Sequence, residues 1–527
     1  MTSLASTQPR AAVFAWLRLL ISGLAIVLQI AFFVAAIVYF SKHLPWLFAV
    51  HVALSVVVVI AILASSMAPE YKLAWSIPIL LLPLVGGAFY LLYGHRHFSA
   101  RELTTIHPIW EKSRELRRAN TRHVLVDETH PNAPRLEHYL RTSANYPGDP
   151  DTEVTYYDSG DKVWKAMLAE LENAERYILF QYFIISAGKM WDELHAVLAR
   201  KAAEGVDVRV LYDDLGSVFT LPKKFESTLR EEGIKVQPIN PFGLRMTLRY
   251  NNRNHAKIMV IDGKVGFTGG VNIGDEYINL DSPYGYWKDT AVRLRGPAVY
   301  NLAIMFATVW NAGEDDLDWT QLPADPAAHA RTSGKPARPA TVDPAVGWVQ
   351  PYDDSPYSNL RVGEDAYLTL LSNAQHRVDI TSPYLIVDAQ VTGALKRAAR
   401  SGLQIRIITP NHGDNWFVHE TTRSAYRDLV EAGVQIYEFT PGYMHAKMMI
   451  ADGESAIIGT INFDYRSLRL HQECAVWLHR VPVIEQMVDG FETTLEKCQP
   501  ITLEMCQEVS WWRRGIRVVL RTLAPFM

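Results

Sequence analysis

Residues 255–262 read His-Ala-Lys-Ile-Met-Val-Ile-Asp, and after six further residues come Gly269-Gly270-Val271-Asn272. Residues 445–452 read His-Ala-Lys-Met-Met-Ile-Ala-Asp, and after six further residues come Gly459-Thr460-Ile461-Asn462. One string, H-x-K-x4-D-x6-G-x-x-N, therefore occurs twice in 527 residues, which chance does not supply. The duplication extends upstream. Residues 198–211 (LARKAAEGVDVRVL) and 395–408 (LKRAARSGLQIRII) each read as a helix ended by a glycine, Gly205 or Gly402, and followed by a β-branched strand. Apolar strands precede both helices, at Tyr177 to Ile185 and Val378 to Val387. Matching turns and strands follow at 231–239 and 431–439. A repeat this coarse predicts two homologous α/β domains, over 151–322 and 346–508. A Pro/Ala-rich linker at 323–345 joins them.

The spacing also carries chemistry. His and Lys two apart on a strand share a face, and the glycine turn brings backbone and the Asn amide to the same place. Facing copies would gather His255, Lys257 and Asn272 with His445, Lys447 and Asn462 around one point. Such a site suits a phosphate, because ammonium and amide groups neutralise charge on the nonbridging oxygens. One neutral imidazole can attack phosphorus while the other gives a proton to the leaving alkoxide. Asp262 and Asp452 complete the strings and are expected to hold the loop more than to touch phosphate. Lysine is not a usual metal ligand and no H-x-H or HExxH spacing occurs, so no metal is expected. Neither a P-loop nor a GxGxxG turn is present, so no nucleotide cofactor is expected.

The N-terminus is of another kind. Three apolar runs, Ala12 to Phe40, Trp46 to Met67 and Leu73 to Tyr93, each reach the ~20 residues a spanning helix needs. They predict a transmembrane anchor over 1–95 with two or three spans, the third run being kinked or re-entrant. Arg96, Arg101, Lys112, Arg114, Arg117, Arg118 and Arg122 follow in a connecting segment (96–150), which puts the body in the cytoplasm. Removing the four basic residues and one acid of 1–93 from the 52 and 56 of the whole chain leaves 48 and 55, a net charge of −7. That body is a poor default for nucleic acid. Three cysteines are too few for a disulfide framework and fit a reducing compartment. The C-terminal segment 509–527, with Trp511, Trp512 and four arginines, reads as a helix lying on anionic lipid.

The doubled string resembles the phospholipase D superfamily. The N-terminal runs, residues 253–277 (RNHAKIMVIDGKVGFTGGVNIGDEY) and residues 459–468 (GTINFDYRSL) resemble bacterial cardiolipin synthases within it. The resemblance implies two phospholipase D-like α/β sandwich domains behind transmembrane helices, with the active site between the domains. It implies phosphatidyl transfer from one phosphatidylglycerol to another, giving cardiolipin and glycerol at a bacterial cell membrane. It also implies His255 as nucleophile, forming a phosphatidyl-histidine, and His445 as acid and base. In the family an acidic residue downstream of each motif orients the histidine; here Asp289 follows His255 and Glu473 follows His445. Gly270 stands where many members carry serine, which leaves that side without a hydroxyl. Gln181, Tyr182 and Trp287 could line the acyl or glycerol path, with core packing the first reading of each. A hydrolytic phospholipase D, a nuclease of the same superfamily and a membrane scaffold are the competing functions. The sequence leaves homo-oligomerisation open.

Overall fold

The computed structural model describes residues 45–65, 67–81, 100–119, 124–126, 135–240, 252–324, 340–342, 347–358 and 360–526, with scattered positions before residue 91. The chain divides into two units, Met1–Arg96 and His97–Met527. The first holds the helices Pro45–Ala64, which has no charged residue, and Pro69–Leu81, which carries Pro78. Among the described residues no helix is long and apolar enough to cross a membrane. Several side chains of Pro45–Ala64, nearly all of the first apolar run and most of the end of the third lie outside the described residues.

The second unit contains two mixed sheets. In the first half the strands are β1 (Glu153–Tyr157), β2 (Tyr177–Tyr182), β3 (Asp207–Asp213), β4 (Lys235–Ile239), β5 (Ile258–Ile261), β6 (Val265–Gly269), β7 (Tyr286–Lys288) and β8 (Ala291–Arg295). Their sheet runs β1-β8-β6-β5-β2-β3-β4; β2, β3 and β4 are parallel and the remaining pairs antiparallel. The second half has β9 (Trp348–Asp354), β10 (Arg377–Thr381), β11 (Gln404–Pro410), β12 (Gln435–Phe439), β13 (Gly442–Met444), β14 (Met448–Ala451), β15 (Ser455–Gly459), β16 (Glu473–His479) and β17 (Cys498–Pro500). Its sheet runs β9-β16-β15-β14-β10-β11-β12-β17, the same plan with an extra edge strand. Two short strands outside both sheets, β7 and β13, pair with each other in parallel across the halves.

Period-two alternation decides which face goes where. Leu179, Val260 and Leu294 point to a core shared with the second half, where they join Trp348, Tyr352, Ile457 and Trp477. The helix Val299–Gly313, apolar on nearly every side, fills that seam. Ile178, Phe180, Val210 and Met259 point the other way and pack with Val163, Met167, Leu194 and Leu198. A core continuous through both halves holds them at a fixed separation.

The repeated helix–glycine–strand units form as read. Gly205 and Gly402 have φ of 94° and 96°, the left-handed region that costs glycine nothing. The preceding strands are shorter than expected, ending at Tyr182 and Thr381. Past those points backbone groups turn to other partners: Ile184 N donates to Asn272 Oδ1 at 3.1 Å, and Pro383 has no N–H to offer. Of the expected linker, 325–339 and 343–346 lie outside the described residues, while Ala340–Val342 pairs in parallel with Val124–Val126.

Two basic clusters differ from their reading. Arg117 is buried and donates to Asn145 O at 3.0 Å. The C-terminal helix Trp511–Leu523 turns its arginines inward: Arg513 and Arg517 share Glu420, and Arg521 meets Asp428 at 2.9 Å. Trp511, Trp512, Val518, Val519 and Leu523 are exposed beside Arg514 and Arg521. Three of the four arginines thus pair with carboxylates of the body, where the reading had them on anionic lipid.

Candidate active site

The strands β5 and β14 start only after each motif lysine, at Ile258 and Met448. His255 and His445 lie just before them, on segments that reach into the opposite half. His255 N donates to Gln472 O at 2.8 Å and Gln472 N to Arg253 O at 2.8 Å; His445 N donates to Lys288 O at 2.8 Å. The two histidines are thus fixed by a ladder between halves, not by their own sheets.

The ladder sets which carboxylate meets which imidazole. His255 Nδ1 lies 3.0 and 2.9 Å from the two oxygens of Glu473, and His445 Nδ1 lies 2.6 Å from Asp289 Oδ2. Each histidine is therefore held by the acid of the other half, where the sequence had suggested the acid following its own motif. Thr460 Oγ1 also donates to Glu473, and Thr290 N donates to Asp289 Oδ1 at 2.8 Å. Lys257 Nζ donates to His255 O at 2.8 Å, and Lys447 Nζ to His445 O.

Burial governs the charges. It lowers His255 to about 3 and His445 to about 4, so both imidazoles are neutral near pH 7. It lowers Lys257 to about 8 and Lys447 to about 7. Burial pushes Glu473 up, but His255 and His471 together outweigh it and hold the carboxyl well below its usual range. Asp289 is likewise raised by burial and brought below its usual range by His445 and Lys447. The two motifs feel each other: the Lys257 charge acts on His445, and Glu473 acts on Lys447. The arrangement is one site with two imidazoles, two lysines and two fixed carboxylates.

The other expected residues are placed as follows. Asp262 accepts from Glu175 N, Arg176 N and Tyr177 N at 2.8–2.9 Å, and Asp452 accepts from Gln375 N, His376 N and Arg377 N at 2.8 Å. Both aspartates cap the strand beside their own and touch neither histidine. Asn272 is fully engaged, donating to Tyr277 OH at 3.0 Å, whereas the buried Asn462 Oδ1 has no partner. Gln181 Nε2 donates to Asn254 Oδ1 at 2.8 Å, next to His255, and Tyr182 packs in the core. Trp287 stands 5.1 Å from the His445 ring, with Tyr277 and Tyr443 at 5.8 and 5.9 Å. A Cβ on Gly270 would come within 2.0 Å of Asp289 Oδ1, so the glycine makes room for that carboxylate. Sequence reasoning passed over Asp213, which holds Asn254 N at 3.0 Å, and His471 beside His255. The spacing His471-x-Glu473 was the available signal. Ligand atoms of His255, His471 and Glu473 lie within 4.8 Å of one another. The bond from His255 to Glu473 accounts for that closeness without an ion.

Two duplicated α/β halves with a histidine and lysine from each meeting at their seam define a phospholipase D-like protein. A crystal structure of phosphatidylserine synthase from Haemophilus influenzae matches this fold with a TM-score of 0.55 at 13% identity, over 75% of this chain and 97% of that one. The family model described as cardiolipin synthase, PLD-like domain, matches residues 167–287 and 367–495, and a phospholipase D-nuclease N-terminal model matches 53–95. A cardiolipin synthase of Halalkalibacterium halodurans is 32% identical over 91% of this chain and 94% of its own. An uncharacterised Streptococcus mutans protein is 35% identical over 86% and 96%. The chain belongs to the cardiolipin synthase family.

Proposed function

We propose that the chain joins two phosphatidylglycerol molecules into cardiolipin and glycerol through a phosphatidyl-histidine. The observation that carries this reading is the crossed pair of buried histidines, each with Nδ1 taken by a carboxylate and Nε2 left for chemistry. His255 Nε2 attacks phosphorus, and His445 donates a proton to the departing glycerol oxygen. A bound phosphodiester anion raises His445 from its low value and lets it hold that proton. The free hydroxyl of a second phosphatidylglycerol then loses its proton to His445 and attacks phosphorus, and His255 leaves. Lys257, Lys447 and Asn462 face the phosphoryl oxygens; Asn272, spent on Ile184 and Tyr277, supports the wall.

The anchor over 1–95 would hold the body at a bacterial cell membrane, multi-pass, with the catalytic body on the cytoplasmic side. The uncharged Pro45–Ala64 helix, the basic segment after it and the N-terminal family match support this. Full-length protein given phosphatidylglycerol alone should yield cardiolipin and glycerol by mass spectrometry. Phosphatidic acid with glycerol would make it a hydrolase, and no turnover would refute both readings.

A further inference from the structure

His471 is a titratable group beside a reactive histidine to which neither motif assigns a part. Its ring lies 5.6 Å from that of His255, tilted by 42°, and the residue is 9% exposed. Its Nδ1 is 3.5 Å from Glu473 Oε1, an ion-pair distance that makes no hydrogen bond, and that buried nitrogen has no other partner. His255 and Thr460 bind the same carboxylate at shorter range. A buried polar atom left without a hydrogen bond is costly, and a catalytic or ligand-binding role is one reason a native site keeps it.

The duplication supplies a second, independent observation. Gln472 O receives His255 N as Lys288 O receives His445 N, so His471 is equivalent to Trp287. Trp287 flanks His445 as His471 flanks His255, and its Nε1 is likewise buried without a partner. Two unrelated side chains share one position and one deficiency, each beside a reactive imidazole. A group that enters with the substrate would complete both.

We propose that His471 is a further catalytic residue, giving a ring N–H to a nonbridging phosphoryl oxygen on the His255 side. It rests on the phosphatidyl-transfer reading above. The donor acts where charge grows as His255 attacks, and Trp287 has no proton to exchange at the matching place. The two ends of the site are thereby made chemically unlike.

The test uses full-length protein with phosphatidylglycerol and the variants H471F, which keeps a ring without a donor, and H471Q, which keeps a donor without a ring. H471F should lower kcat/KM by ~10²–10³-fold, the effect of removing one donor from a developing oxyanion. H471Q should lose less than about tenfold, and inhibition by inorganic phosphate should weaken in H471F but not in H471Q. Equal losses in both variants, or H471F within threefold of wild type, would overturn the proposal. H471Q unfolding while H471F stays folded and active would do so too. Wild-type protein that makes no cardiolipin would instead refute the transfer reading itself.

Discussion

Glu473→Gln tests the crossed geometry at its most exposed point. The carboxylate is fully buried, lies 2.9–3.0 Å from His255 Nδ1 and belongs to the half that does not carry His255. Removing its charge forfeits a charge-assisted hydrogen bond of ~1.5–3 kcal/mol, a loss of roughly 10–150-fold in rate. A glutamine can also turn its amide toward Nδ1, which moves the imidazole proton to Nε2 and blocks attack. The equivalent Asp→Asn change behind a catalytic histidine costs ~10⁴-fold, so the expected range is ~10 to 10⁴. The assay is the burst of nitrophenolate from a phosphatidyl-p-nitrophenol donor, whose leaving group needs no proton. In that assay E473Q and H255A should show no burst, while D289N and H445A should still form the phosphatidyl adduct on His255. A burst that survives in E473Q and vanishes in D289N would refute both the nucleophile and the crossing.

Other expectations are simpler. For the free enzyme, the two histidines at about 3 and 4 stay neutral down to mild acid, while Lys257 and Lys447 lose their protons as pH rises through about 8 and 7. Because phosphate needs those ammonium charges, kcat/KM should fall as pH rises through about 7 and then 8; a profile flat to pH 9 would contradict the burial argument. Gly270→Ser should displace Asp289, whose Oδ1 lies 2.0 Å from the added Cβ, and should impair the proton-dependent reaction far more than the nitrophenolate burst. Asp262→Asn and Asp452→Asn keep a side chain that tolerates φ near 55° but weaken three backbone contacts each. Both should lower stability by ~1–3 kcal/mol by denaturant titration and leave kcat of the folded fraction close to wild type.

The repeat was legible because helix caps and strand patterning are local. Gly205 and Gly402 fall in the same conformation, and the two halves build the same strand order. The two reactive pairs were legible because each motif is contiguous. What could not be read is everything set by contacts between halves. Nothing local says that Glu473 reaches His255, because the backbone ladder at Gln472 makes that choice. The partners of Arg513, Arg517 and Arg521 were hidden for the same reason: composition counts charges, and only packing shows that they pair with Glu420 and Asp428. Asn272 and Asn462 look identical in the motif and part company only in the fold, where Asn272 is taken by Ile184 N and Tyr277 OH.

The exchange of carboxylates between halves also bears on how such a chain could arise and change. Two identical single-motif subunits could build this centre around a two-fold axis, each lending an acid to the other. Joined in one polypeptide, they are freed from having to stay alike. Thr460 and Gly270, Glu473 and Asp289, and His471 and Trp287 are three positions where the copies have separated. Every one touches a buttress or a reactive ring, while the His-x-Lys pairs themselves remain the same. Fusion thus turns a symmetric machine into one whose two histidines can specialise, yet it forbids either copy from decaying, since each holds the other's working part in place.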